Sequence, residues 1–360
     1  MSERIAVTYH VRSDAASIAA RAQAIAVEQS VEMPLGAIDE PAVLHDIVGE
    51  VQSIDDLGGG VFAVRIGLAA ATIGNDAGQF LNMLFGNTSL HDDVLLHDVE
   101  LPPGFAGPRH GIAGLRARVG AFGRALTCSA LKPQGLSPER LGDLAERLAR
   151  GGIDFIKDDH GLADQAYSRF ADRVRACADG VARAVRVTGH PTHYLPSLSG
   201  DLNAMRRQVA LARDADLDCV LIAPVIAGFA NVQALAREFP DMAFFAHPAM
   251  GGAARIAPEL LIGKLFPLIG ADAVIFPNYG GRFGYSPETC RRLADNARNG
   301  PHPAMPVPAG GMTLERTPEL LDFYGPDAML LIGGNLLLAR DRLTEATAAF
   351  TRAVAQHAYR

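Results

Sequence analysis

Gly151-Gly152-Ile153-Asp154-Phe155-Ile156-Lys157-Asp158-Asp159-His160 is the stretch on which the fold turns. Apolar residues that give way to a lysine, two carboxylates and an imidazole read as a short buried strand opening into a site. Side chains alternate across a strand, so Lys157 and Asp159 share one face and Asp158 points to the other. Two readings of the shared face stand open. One is a Lys–Asp ion pair at a strand end. The other is a metal site in which Lys157, after reaction with CO2, is a carbamate, an oxygen-donor anion suited to a hard cation such as Mg2+.

The same rhythm recurs from about residue 126 onward. Apolar runs at 126–131, 153–157, 194–197, 219–223, 243–246, 273–276, 305–308 and 329–332 alternate with amphipathic stretches such as 138–150, 203–213 and 318–323. Strands joined by helical crossovers predict an α/β chain whose residues 121–360 form a (β/α)8 TIM barrel, with its active site at the C-terminal strand ends. Residues 1–120 read differently. A strand at 5–11, a helix capped by Asp14 and reaching residue 28, strands at 42–54 and 61–68 joined across Gly58-Gly59-Gly60, a helix at 76–85 and a strand at 94–101 predict a ferredoxin-like α+β N-terminal domain.

With 360 residues, of which 49% are hydrophobic and 20% charged, the chain can bury a large core without disulfides. A net charge of -7 offers no basic stripe, which argues against nucleic acid as a partner. Cys128, Cys177, Cys219 and Cys290 form no Cys-x-x-Cys pair, as expected of buried thiols in a reducing cytoplasm. No apolar run approaches the roughly 18 residues that span a bilayer, so no membrane partner is expected.

The other strand ends carry chemistry too. Lys132, in Leu131-Lys132-Pro133-Gln134-Gly135-Leu136-Ser137, projects into a barrel mouth where neighbouring cations or desolvation can bring its ammonium towards neutrality. His247 follows the run at 243–246 and has the ordinary pKa of a proton shuttle. Arg282, in Tyr279-Gly280-Gly281-Arg282, is an anion-binding candidate or a plain turn residue. Gly310-Gly311 and Gly333-Gly334 follow the last two strands, where backbone N–H groups can approach a phosphate.

Residues 151–159 resemble the metal-ligand strand of the RuBisCO large-subunit superfamily, Gly-Gly-x-Asp-x-x-Lys-Asp-Asp-Glu, with His160 in place of the final acid. The resemblance runs through most of the chain and implies Mg2+ held by carbamylated Lys157 with Asp159 and His160. Lys132 matches the active-site lysine of a Lys-Pro-x-x-Gly-Leu-Ser motif, here one residue shorter. His247 matches the first histidine of His-Arg-Ala-Met-His, while Pro248 replaces the phosphate-gripping arginine. Phe276 replaces a histidine, and the loop after it lacks the lysine that orients CO2. Gly310, Gly311, Gly333, Gly334 and Arg282 are implied to bind a substrate phosphate. Asn87, and with it Glu28, matches N-domain residues that complete the site of a neighbouring subunit, which implies a homodimer.

These departures point to a RuBisCO-like protein without CO2 fixation. The retained groups suit Mg2+-dependent enolisation and isomerisation of a ketose monophosphate, since an enolate needs a polarised carbonyl and a base but no CO2. Two other readings remain at this stage. One is decarboxylation of a branched 3-oxo acid phosphate to the same kind of enolate. The other is a non-catalytic binding or regulatory member, to which His160 points because it removes a hard oxygen ligand.

Overall fold

The structure, a computed structural model, describes residues 3–300 and 303–359. The chain forms two compact units. The first comprises residues up to Phe105 together with Gly252–Leu261, and the second comprises Ala106–Gly251 with Ile262–Arg360.

The first unit is a four-stranded antiparallel sheet in the order β2-β3-β1-β4. Its strands are β1 (Arg4–Arg12), β2 (Glu50–Gly58), β3 (Val61–Ala69) and β4 (Val94–Val99). Val7, Tyr9 and Val11 alternate with half-exposed Thr8 and His10 along β1, the period of a strand with one buried face. Helices α1 (Ile18–Glu28) and α3 (Ala77–Phe85) bury the apolar residues that the sequence spaces for that purpose. Asp76 caps α3 by accepting from the Gln79 N–H at 2.6 Å. Between β2 and β3, Gly58, Gly59 and Gly60 have φ of 82°, 63° and 73°, a left-handed run open only to glycine at low cost. Residues 252–261 lie along β4, where Leu96 donates to Arg255 O (3.0 Å) and accepts from Ala257 N (2.8 Å).

Two sequence expectations need correction here. Residues 42–54 are not one strand: α2 (Pro41–Asp46) comes first and β2 begins only at Glu50. Pro41 presets φ for a first helical turn and has no N–H to give a ladder, so the apolar run after it winds instead of pairing. Asp14 holds the turn before α1 rather than its first residue, accepting from Ala16 N (2.9 Å) and Ser17 N (2.8 Å).

Among the described residues, the second unit carries eight parallel strands in two four-stranded sheets, β12-β5-β6-β7 and β11-β10-β9-β8. They are β5 (Leu126–Leu131), β6 (Phe155–Asp158), β7 (His193–Leu195), β8 (Cys219–Ile222), β9 (Ala243–Ala246), β10 (Ala273–Pro277), β11 (Met305–Ala309) and β12 (Met329–Leu331). Leu221 N donates to Pro196 O at 2.9 Å and Leu198 N to Leu221 O at 2.8 Å, which joins one sheet to the other beyond β7. Both sheets turn side chains into a single apolar cluster, with Cys128, Phe155, Leu195, Leu221, Phe245 and Met305 among its members. Helices α4 (Gly111–Val119), α5 (Pro138–Arg150), α6 (Phe170–Thr188) and α7 (Leu202–Asp214) are followed by Phe229–Glu238, Pro287–Arg298, Thr317–Tyr324 and Leu343–Ala355. Ser137 and Asp201 cap α5 and α7 through Arg140 N and Ala204 N. No helix among the described residues is long and apolar enough to cross a membrane.

Candidate active site

β6 delivers its side chains as a period of two requires. Phe155 belongs to the interior cluster, and Lys157, two residues on, lies on the same side. Asp158 faces the other way and is fully buried. It accepts from the Tyr194 hydroxyl (2.7 Å), Arg173 Nε (3.0 Å) and Ser197 N (3.0 Å). The start of the same segment is pinned by Asp154, which takes both terminal nitrogens of Arg124 at 2.8 Å and both donors of Thr127 on β5 at 2.8 and 2.9 Å.

Lys157 is 4% exposed and gives its Nζ to Asp158 O at 2.6 Å. Burial, reinforced by the Lys132 charge, pulls its ammonium below the ordinary lysine range, although Cys128 and Asp159 act the other way. Asp159 is the hub of the site. Its Oδ2 pairs with Lys132 Nζ, and its Oδ1 faces His160 Nδ1 (2.9 Å) and accepts from Gly161 N (3.2 Å). Burial raises the Asp159 carboxyl, but the His160 and Lys132 hydrogen bonds outweigh it and leave the group well below the usual carboxylate range.

The His160 ring stacks on His247 with centroids 4.2 Å apart and planes 9° from parallel. His247 Nδ1 accepts from Ala249 N at 3.1 Å. A backbone N–H can only donate, so the neutral ring carries its proton on Nε2. Burial first, then Lys157 and His160, push the His247 pKa down from 6.5 to about 2. These surroundings favour the neutral imidazole over the near-neutral titration expected of a proton shuttle.

Lys132, Lys157, Asp159, His160 and His247 thus come together at the C-terminal ends of β5, β6 and β9. Arg282 and the glycine pairs follow β10, β11 and β12 on the same side of the strands. The Arg282 guanidinium lies 5.0 Å from the Phe283 ring centroid. Gly310 and Gly311 have φ of 81° and 76°, and a Cβ on Gly281 would fall 2.3 Å from Gly310 O. Gly333 and Gly334 have no such steric demand. Asn87 belongs to the first unit, where its Nδ2 donates to Glu28 Oε1 (2.9 Å) and Glu32 Oε1 (2.8 Å).

Several residues that shape the site escaped the sequence reading. Arg173 is fully buried although it is charged. A signal existed, because it falls on the apolar stripe of α6 with Phe170, Val174 and Cys177 at helical spacing. Tyr194 and Arg124 gave none, since their partners are distant in sequence.

The donor set can be tested against a divalent cation. Burial lowers the Lys157 ammonium and so eases access to the free amine that reacts with CO2, and the depressed Asp159 carboxyl favours the anion beside it. His160 keeps Nε2 free while Nδ1 faces Asp159. Carbamate and carboxylate oxygens suit such an ion, and the His160 imidazole, a softer donor, either adds a third ligand or holds the Asp159 carboxylate in place, so the residues fit. A different trio, His193, Asp218 and Cys219, has ligand atoms within 4.8 Å of one another. It lies at the opposite, N-terminal ends of β7 and β8, and Asp218 is already bound to Arg118 Nε (2.7 Å) and His193 Nδ1 (2.8 Å). Burial pushes the Cys219 thiol far up, which removes the thiolate a metal would need.

A parallel α/β unit with a lysine–carboxylate cluster at its strand ends defines the class of protein, and sequence comparison gives the family. Residues 111–274 match the catalytic domain of the ribulose bisphosphate carboxylase large chain. The chain is 60% identical to 5-methylthioribulose-1-phosphate isomerase of Rhodospirillum rubrum, covering 100% of this chain and 98% of that one. It is 56% identical to ribulose bisphosphate carboxylase-like protein 1 of Rhodopseudomonas palustris, with 99% of each chain covered. The crystal structure of a Rubisco-like protein from Rhodopseudomonas palustris superimposes with a TM-score of 0.93 at 51% identity, covering 100% of both chains. The chain belongs to the RuBisCO large-chain superfamily, among its RuBisCO-like proteins.

Proposed function

We propose that this chain is an isomerase of a ketose monophosphate, 5-methylthioribulose 1-phosphate being the substrate that the relatives and the site chemistry favour together, and that it fixes no CO2. The observation that carries the reading is the convergence of Lys132, Lys157, Asp159 and His247 at one set of strand ends while Pro248 stands where a second phosphate would need an arginine. A methylthio end needs no such cation, and Pro248, Ala249, Met250 and Phe276 are apolar.

In this reading the eight parallel strands form a (β/α)8 barrel, and the antiparallel unit is a ferredoxin-like domain. The catalytic part of this reading is residues 121–360 and the N-terminal part residues 1–120, with α4 (Gly111–Val119), which packs in the second unit, as the segment that leads into the barrel. Lys157, Asp159 and His160 would hold Mg2+, which when bound supplies a Lewis acid for the substrate ketone. Lys132, as the free amine, takes the proton from the carbon beside the ketone to give an enediolate, and the ammonium so formed returns it at the former carbonyl carbon while a hydroxyl proton passes between the two oxygens, so no atom is gained or lost. In its ammonium form Lys132 is held in place by the ion pair with Asp159. His247 donates its Nε2 proton as a hydrogen bond to a substrate oxygen. Backbone N–H groups at Gly310-Gly311 and Gly333-Gly334, with Arg282, bind the phosphate. Asn87 serves the site of a second subunit, so the active form is a homodimer. Four buried free thiols suit a reducing compartment, and we place the enzyme in the cytoplasm.

The test is incubation of the purified protein and Mg2+ with 5-methylthioribulose 1-phosphate in D2O, followed by NMR. Deuterium incorporation and a new ketose phosphate are expected. An unchanged spectrum would refute the reading, and release of CO2 from a branched 3-oxo acid phosphate would replace it with the decarboxylase.

A further inference from the structure

The loops after β10, β11 and β12 are tied to one another by side chains, two of which donate to main-chain carbonyls. Arg316 Nη1 donates to Tyr279 O at 3.2 Å, while its Nε and Nη2 hold Glu319 at 3.0 and 2.8 Å. The Tyr279 hydroxyl donates to the same Glu319 carboxylate at 2.6 Å. Beneath them, the Tyr324 hydroxyl donates at 2.6 Å to Oδ1 of Asn278, which is fully buried. On the other side of the β11 loop, Asn335 Nδ2 donates to Met312 O at 2.6 Å.

Between these ties, the backbones of Gly280-Gly281 and Gly310-Gly311 touch. A Cβ on Gly311 would lie 2.8 Å from Gly281 Cα, and one on Gly280 would lie 3.0 Å from Arg316 Nη1. Arg316 spends its donors on a loop carbonyl and a carboxylate, and its guanidinium lies 5.0 Å from the Tyr279 ring centroid. Asn335 likewise spends an amide proton on a carbonyl. Both side chains act on the loops rather than on a ligand.

We propose that Arg316 and Asn335 are positioning residues that preform the phosphate cradle, fixing the loops after β10, β11 and β12 as one rim so that a phosphate meets aligned N–H groups. The inference rests on the phosphate site proposed above. A preformed rim binds a monophosphate without first having to order three loops, so loosening it weakens binding more than it slows turnover.

Inorganic phosphate is the probe, read by thermal unfolding of the full chain at graded phosphate, alongside KM and kcat with 5-methylthioribulose 1-phosphate. Asn335→Gly and Arg316→Lys should each weaken phosphate binding and raise KM by roughly 5- to 10-fold, the worth of one lost hydrogen bond, with kcat moving less than KM. If wild type is stabilised by phosphate and both variants are stabilised equally, the positioning role is overturned and the phosphate site stands. If wild type gains nothing from phosphate, the phosphate-site reading falls and the inference with it. A fall in kcat at unchanged KM also overturns the positioning role.

Discussion

Replacing Arg124 with methionine should destabilise the second unit in a pH-dependent way. Asp154 has no exposed surface, and its carboxylate faces two Arg124 nitrogens at 2.8 Å as well as both donors of Thr127. Burial alone would raise this carboxyl, but the Arg124 fork, with help from the His190 ring at 3.2 Å, outweighs it and the pKa falls from 3.8 to about 2. That difference corresponds to about 2 kcal/mol of stability at neutral pH. The sign follows from the direction: a depressed folded-state carboxyl contributes above its unfolded pKa and loses the contribution as pH falls through about 2. With the fork removed, Asp154 keeps Thr127 and the His190 ring (3.2 Å) as partners, and the loss approaches the about 3–5 kcal/mol of a broken buried ion pair. By pH 3 about 1 kcal/mol of the wild-type contribution is gone, so the deficit of Arg124→Met should shrink by at least that much between pH 7 and pH 3. Urea unfolding of both proteins across this range measures it. A deficit equal at pH 7 and pH 3 would refute the assignment of this stability to the Arg124–Asp154 pair.

Three further outcomes follow from the site. Asp159→Asn should abolish metal-dependent turnover while the fold persists by circular dichroism; full activity in this variant, or in metal-stripped wild type, would remove Asp159 from the metal site. Lys132→Met keeps the apolar stem and should slow turnover by at least the ~100-fold typical of a lost general acid or base, as steady-state kinetics would show. Wild-type rates would leave Lys132 a structural cation. Ribulose 1,5-bisphosphate with labelled CO2 should give no 3-phosphoglycerate above background, because Pro248 lacks the arginine's phosphate clamp and the loop after Phe276 lacks a CO2-orienting lysine.

What was legible in the sequence is what depends on local pattern. The alternation of Lys157, Asp158 and Asp159 predicted opposite faces, and the structure separates Asp158 from the others in that way. Apolar runs announced the parallel strands, with ends shifted by a residue or two. Pattern failed where a proline overruled it, as at Pro41, and where burial decides a property. The reference pKa of histidine says nothing about His247 once Lys157 and His160 lie beside it in a desolvated pocket. Ties between distant residues, such as Tyr324 with Asn278 or Arg316 with Tyr279, leave no local trace.

The two-sidedness of β6 limits how this site can evolve. Insertion or deletion of one residue between Asp154 and Asp158 would rotate every later side chain to the opposite face. Lys157 would then meet Tyr194 and Arg173, and Asp158 would enter the interior. Both the polar clamp outside and the reactive cluster inside would be lost in one step. New chemistry on this strand is therefore reachable by exchanging side chains at fixed length, as His160 exemplifies, and closed to changes in length. Variation in length is left to the connections beyond the strand ends.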